Sequence, residues 1–167
     1  MSAARIARAI DSLIAVIGQA VAWLVVVMLL TDVAVVTLRY GFDIVYTWLQ
    51  ELMTYLHAAV FLVGAVHIIQ ADGHVRVNIL YNRMSPRARA WIDIVTMVAV
   101  VMPVAVLLHW TSHDYVMNSW AMLEGSPHSG GLDAIYILKS YIWVFADLLL
   151  LAALARALHR VAELRGT

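Results

Sequence analysis

The stretch that decides the fold runs from Leu13 to Val36 and reads LIAVIGQAVAWLVVVMLLTDVAVV. Its one charged residue is Asp32. A helix rises about 1.5 Å per residue, so crossing a hydrocarbon core of about 30 Å takes about 20 apolar residues. This run is long enough to cross. Arg5 and Arg8 precede it and Ala20-Val21-Ala22 resembles a signal-peptidase site. The run continues well past that point, however, and exceeds a signal-peptide core. It reads as a retained transmembrane helix.

Three more apolar runs follow, at Trp48 to Ile69, Trp91 to Met117 and Ile135 to Leu158. Breakers fill the gaps. Gly41-Phe42-Asp43 separates the first pair, and Gly125-Ser126-Pro127 with Ser129-Gly130-Gly131 separates the last. Between the middle pair stand Asp72-Gly73-His74 and Ser85-Pro86, the latter a favourable helix start with Ser as cap and Pro in the first turn. The expected fold is an all-α integral membrane protein, one domain over residues 1–167, with transmembrane helices at about 13–36, 48–69, 91–117 and 135–158. Pro103 should kink the third.

Bulk composition agrees. Hydrophobic residues are 63% and charged residues 13% of the 167. Soluble domains run near half apolar and a quarter charged, and a chain this small has too much surface to hide the excess. Net charge is zero, which gives no electrostatic case for nucleic acid. Cysteine is absent, and with it disulfides, thiol nucleophiles and thiolate metal ligands.

The placement of charge predicts orientation. Arg5, Arg8, Arg76, Arg83, Arg87, Arg89, Arg156, Arg160 and Arg165 fall on one side, against Arg39 and Lys139 on the other. The positive-inside rule puts both termini in the cytoplasm. His74 to Ile79 alternates polar and apolar residues and is expected to lie along the cytoplasmic interface.

Ionisable groups inside spans are costly and usually meet a partner. Tyr136, Lys139 or Ser140, Trp143 and Asp147 form one stripe on the last helix, with Asp147 near the midplane. The stripe should face protein, with Asp147 hydrogen-bonded and locking helices together rather than relaying ions. Glu51, Thr54, His57, Ala58, Phe61, Gly64 and Ala65 share a broad face of helix 2. Packing is the expected use of these residues, and of Gly18 and Ala22 on helix 1. Asp32, Asp93, His109 and Asp114 lie nearer helix ends, where water or headgroups can reach them, and most of them are expected to be solvated or capped. His57 and His109 nearly match in depth, so the rival function is a haem-binding or quinone-linked four-helix anchor of a redox complex. The chain has no Gly-rich phosphate loop, nucleophile elbow or His/Glu zinc motif. No enzyme is indicated. Four spans without a repeat leave little room for a transporter that acts alone.

A series of short motifs lies between the spans in a set order. They are Arg39-Tyr40, Trp48 with Glu51-Leu52, Gly73-His74-Val75-Arg76-Val77, Asn118-Ser119-Trp120, Glu124-Gly125-Ser126, Gly130-Gly131-Leu132 and Lys139-Ser140. In this order the chain resembles the small membrane subunit of tripartite ATP-independent periplasmic (TRAP) transporters, and its last motifs resemble the mannitol/chloroaromatic-type branch. It departs from the family pattern in the last helix. Ile142-Trp143-Val144 carries no proline there, and Ala152-Ala153 follows Leu148 to Leu151.

The resemblance implies a mechanism and partners. A periplasmic binding protein captures an organic anion, commonly a carboxylate, and a large permease subunit carries it across the bacterial inner membrane. Sodium is the implied coupling ion, bound by the large subunit, and this subunit holds no cofactor. The chain would brace the large subunit's scaffold. Arg39, Trp48, Glu51, His57, Gly64, Lys139, Trp143 and Asp147 then become candidates for subunit contact. His74, Arg76, Arg83, Arg87 and Arg89 become anchors to lipid headgroups, and Ser119, Trp120 and Glu124 a candidate surface facing the binding protein.

Overall fold

The computed structural model describes residues 3–70 and 84–165. These form α1 (Ala3–Gly41), α2 (Thr47–Gln70), α3 (Pro86–Thr96), a π turn (Met97–Val101), α4 (Met102–Thr111), α5 (His113–Ala121) and α6 (Ile135–Arg165). Four continuous stretches are long and apolar enough to cross a membrane: Arg5–Gly41, Thr47–His67, Pro86–Ala121 and Ile135–Arg165. The helices outrun the apolar stretches that reveal them. Hydropathy marks only the depth of hydrocarbon, whereas a helix continues into water until something caps it.

The ends are capped in recognisable ways. Ser85 Oγ accepts from the Ala88 amide at 3.3 Å with Pro86 in the first turn of α3, as its sequence suggested. At the end of α1, Asp43 takes φ 57° and the Ile44 amide reaches back to the Leu38 carbonyl at 3.0 Å. The left-handed residue at this helix end is Asp43 rather than the nearby Gly41.

The third span is continuous but irregular, and its proline explains part of this. Pro103 has no N–H to give to the carbonyl four residues back. Ahead of it the chain widens into the π turn, where the Met102 amide bonds the Met97 carbonyl. The expected proline kink thus takes the form of a π turn. At the α4–α5 junction, the hydroxyls of Thr111 and Ser112 bond the Leu107 and Leu108 carbonyls at 2.8 and 2.7 Å. Such back-bonding loosens the regular ladder.

Helix α6 is the hub. It packs on α1, on α2 and on every segment of the third span, while α1 and α2 also pack on each other. The third span makes no comparable contact with α1 or α2. The bundle is therefore a triangle of α1, α2 and α6 with the third span laid against the far side of α6. Its main core joins Ile14, Val63, Val66, Ala105, Leu148, Leu149 and Ala152. Met97, Ala153 and Ala157 form a second cluster. The buried face of α6 is rich in alanine, at 146, 152, 153, 155 and 157. Small residues let three neighbours approach one helix closely. Gly18 serves the same end, since a Cβ there would stand 3.3 Å from His67 Nδ1. By contrast Trp23, Leu29, Leu30, Phe61 and Trp110 are all more than half exposed, as lipid contact requires.

An ionic layer closes the end that carries the chain termini. Asp93 is 5% exposed, and Arg160 donates to its Oδ2 through Nε at 2.8 Å and through a terminal nitrogen at 2.7 Å. Arg156 stands 3.9 Å from the same oxygen. His159 and Asp11 pair at 2.6 Å, tying α6 to α1. The expectation that Asp93 is solvated or capped is corrected. Its place on the α3 face that meets α6 buries it, and basic groups on α6 compensate for the burial. Arg87 is exposed and Arg89 donates to the Met84 carbonyl at 3.0 Å. The other proposed anchors, His74, Arg76 and Arg83, lie outside the described residues, as does the interfacial stretch from His74 to Ile79.

Breaking a buried ion pair by removing one partner costs about 3 kcal/mol, whereas replacing both by apolar groups is often nearly neutral. Asp93→Leu is expected to lower the thermal midpoint of the detergent-purified protein sharply. Adding Arg160→Met should restore much of the loss. Equal midpoints for wild type and Asp93→Leu would show that this layer does not hold α3 to α6.

Candidate subunit-contact site

Polar side chains gather at two further depths, and α6 contributes to both. The first is at the end opposite the termini. Glu51, in the first turns of α2, accepts from the Ser126 hydroxyl at 2.5 Å and from the Leu132 amide at 2.6 Å. The Trp48 amide, an otherwise orphan donor at the start of α2, bonds the Gly130 carbonyl at 3.0 Å. These bonds strap the 122–134 loop over α2. Two glycines permit the approach. Gly130 has φ 72°, and a Cβ on Gly131 would collide with the Ser126 side chain and stand 2.7 Å from Glu51 Oε1.

The same loop is fastened to α6. Glu124 Oε2 accepts from Lys139 Nζ at 2.5 Å and from the Ser119 hydroxyl at 2.6 Å. Lys139 Nζ also lies 4.0 Å from the centre of the Tyr115 ring, a cation–π contact. Leu123 takes the left-handed position at φ 46°, with the Glu124 amide closing back on Ser119 at 3.0 Å. A non-glycine residue there costs about 1 kcal/mol, which the bonds made by the next residue, Glu124, offset. Trp120 Nε1 donates to Ser140 Oγ at 2.7 Å and its ring meets Tyr136 edge-on at 4.6 Å.

The second depth lies midway along the spans, near the expected midplane. Asp147 lies about 12 Å along α6 from Lys139 and about 13 Å from Arg156, midway between the two polar layers. Its Oδ1 is 3.0 Å from His109 Nδ1 on α4. The ring nitrogen is not aimed well enough to count as a hydrogen bond, so the contact is an ion-pair distance only. Trp143, one turn along, stacks on His109 at 5.2 Å and on His113 at 5.5 Å.

The stripe of Tyr136, Lys139, Ser140, Trp143 and Asp147 therefore does face α4 and α5. Two expectations change. The partner of Asp147 is His109, which the sequence reading placed near a wet helix end. The carboxylate is also not sealed between helices, because its side chain is 60% exposed and that of His109 is 40% exposed. A charged side chain at a helix centre facing lipid costs about 2.5–3.5 kcal/mol on insertion scales.

The other candidates are placed as follows. Thr54, His57 and Phe61 point outward from α2, His57 stacking on Phe61 at 6.2 Å. Gly64 has open space where a Cβ would sit. These lie away from the buried residues Tyr55, Val63 and Val66, so this face is not part of the chain's own core. Arg39 is exposed, 6.0 Å over the Tyr40 ring. Trp48 is 42% and Trp120 45% exposed, whereas Ser119 is 1% exposed. Ser119 is thus removed from the surface proposed to face a binding protein, because its hydroxyl is spent on Glu124. His57 and His109 sit on helices that do not pack together, so the structure does not assemble the bis-histidine pair of a haem anchor. No cluster of three or more His, Asp or Glu residues suited to a metal occurs among the described residues. Sequence reasoning missed the Asp93–Arg160 and Asp11–His159 pairs. The signal was there in Arg156, His159, Arg160 and Glu163, whose three- and four-residue spacing sets them along one face over two helix turns.

A multi-pass helical membrane protein with this layering is the class that the fold defines. A family model for the DctQ component of tripartite ATP-independent periplasmic transporters matches residues 25–164. The chain belongs to that family, whose members are transporter components of the bacterial inner membrane. One similar curated protein, from Haemophilus influenzae, carries a provisional assignment as a TRAP transporter small permease protein. It is 27% identical over 94 residues, which are 55% of this chain and 58% of the relative. The match thus spans little more than half the length of that relative. No solved structure matches the chain.

Lys139 above all, with the Ser119 hydroxyl, holds the Glu124 carboxyl below the ordinary carboxylate range. A carboxyl depressed by folding contributes its full stabilisation above its unfolded value and loses it as pH falls through the lowered one. The contribution of Glu124 to the thermal midpoint should therefore stay constant near neutrality and be lost only as the pH falls below the ordinary glutamate value of about 4.5. Glu124→Gln should lower the midpoint at neutral pH and flatten the acid limb. An identical acid limb in that variant would remove Glu124 from the account.

Proposed function

We propose that this chain is the small, non-transporting subunit of a TRAP-type secondary transporter, with both termini in the cytoplasm. A periplasmic binding protein delivers an organic anion, of carboxylate type, to a large permease subunit. That subunit carries the anion across the membrane with sodium as coupling ion and holds both of their sites. The present chain braces the part of the large subunit that stays fixed. The observation that carries this reading is the family match over most of the chain. The use of its polar groups supports it. Glu51, Glu124, Lys139, Asp93 and Arg160 hold the chain's own helices and loop together. Groups spent in that way stiffen a scaffold and are not available to a moving solute. The charge bias supports the orientation.

The test is purification from membranes in which the chain, the large permease and the binding protein are produced together. A tag on this chain should bring down the large permease, and uptake by proteoliposomes should need all three proteins. Transport by this chain alone in liposomes would contradict the assignment. Glu51→Ala and Lys139→Ala should reduce assembly or uptake rate without changing which anion is preferred. Altered selectivity in either variant would mean that the loop-end layer touches substrate.

A further inference from the structure

The His109–Asp147 pair lines a groove. The groove runs between α4 and α6 and has a volume of about 290 Å³, bounded by Ala105, Val106, Trp110, Ala146 and Leu150 besides the pair. Ala105 and Ala146 are each 1% exposed, so small residues set the depth of the cleft. Trp110, 79% exposed, forms one wall. A second hollow of about 420 Å³ continues it past His113 and Asp114 toward the loop end. The groove thus runs along the helices, across the depth of the membrane, with an apolar lining and one carboxylate–imidazole pair midway.

This arrangement is poorly suited to lipid. Only Oδ1 of Asp147 meets His109, and Oδ2 has no partner among the described residues. A carboxylate at mid-depth needs a donor, because acyl chains offer none and headgroups lie about 12 Å away along the helix. Long basic side chains can reach the interface by extending, but the short aspartate cannot. A donor on another protein helix at the same depth would satisfy the second oxygen.

We propose that the α4/α6 groove is the docking site for a transmembrane helix of the large permease. That helix places a hydrogen-bond donor, hydroxyl, amide or basic, against Asp147, with apolar residues on either side of it filling the cleft. The proposal rests on the assignment above and adds to it the face that is used. Asp147 and His109 are contact residues in it, and Trp143 positions His109 by stacking. The outward residues His57 and Phe61 on α2 lie on a separate face and take no part.

Photocrosslinking in membranes of cells producing the full transporter tests this. A benzophenone amino acid is placed singly at Val106, Trp110 or Leu150 in the groove, and at Leu29 on α1 as a contrast. Groove probes should yield an adduct with the mass of this chain plus the large permease, well above any adduct from Leu29. An adduct only with a second copy of this chain, or only with lipid, would overturn the proposal. Asp147→Leu should reduce the large permease recovered with the tagged chain by about three- to tenfold, the range expected for one polar contact between membrane helices. Asp147→Asn, which keeps an acceptor, should recover more than Asp147→Leu. Equal recovery with Asp147→Leu, Asp147→Asn and the wild type would also count against the site. The wild-type pull-down separates the two readings. If the large permease is recovered but the groove probes miss it, only the docking face is wrong.

Discussion

The structure depends on one constraint: a single helix, α6, must satisfy three neighbours at once inside a solvent that forms no hydrogen bonds. It does so by dividing its length. Alanines at 146, 152, 153, 155 and 157 bring the other helices close. Polar side chains at the two ends then fix them, Lys139 and Ser140 at one and Arg156, His159 and Arg160 at the other. In lipid, apolar surface gives helices little reason to associate, so close packing and satisfied polar contacts carry the association. Removing the polar layers would leave the third span held to the bundle by van der Waals contact along α6 alone.

The layering accounts for the exposed surface. The α1, α2 and α6 triangle is tight, yet α1 turns most of its hydropathic residues outward, and among the described residues the third span packs mainly on α6. A bundle so open is stable as a wall rather than as a container. It has long apolar faces for lipid or for another membrane protein, and one face interrupted by an acid at mid-depth. That geometry suits a subunit whose neighbour completes it.

Much of this was legible in the sequence. Period and hydropathy fixed the four spans because crossing length is a strong physical demand, and Ser85-Pro86 marked a cap because its chemistry is local. The stripe on α6 was legible for the same reason, since helical spacing alone aligns Tyr136, Lys139, Trp143 and Asp147. The partners were not. Glu51 meets Ser126 and Leu132 across a long stretch of chain, and nothing local in Glu-Leu or Gly-Ser announces that pairing. Asp93 looked like a wet residue near a helix end because depth along one helix is readable, whereas the face that meets a neighbour is set by packing. Ser119 was misplaced on the surface for that reason too. His109 looked close to water until the third span proved to continue to Ala121.

The central claim is that the polar residues of this chain hold helices and subunits in place and do not carry the coupling ion. The most direct test is the ratio of coupling ion to substrate moved by the complete transporter in proteoliposomes, compared between wild type and Asp147→Asn. The account predicts an unchanged ratio, with at most a slower rate. A changed ratio would make Asp147 part of the ion path and contradict the scaffold role.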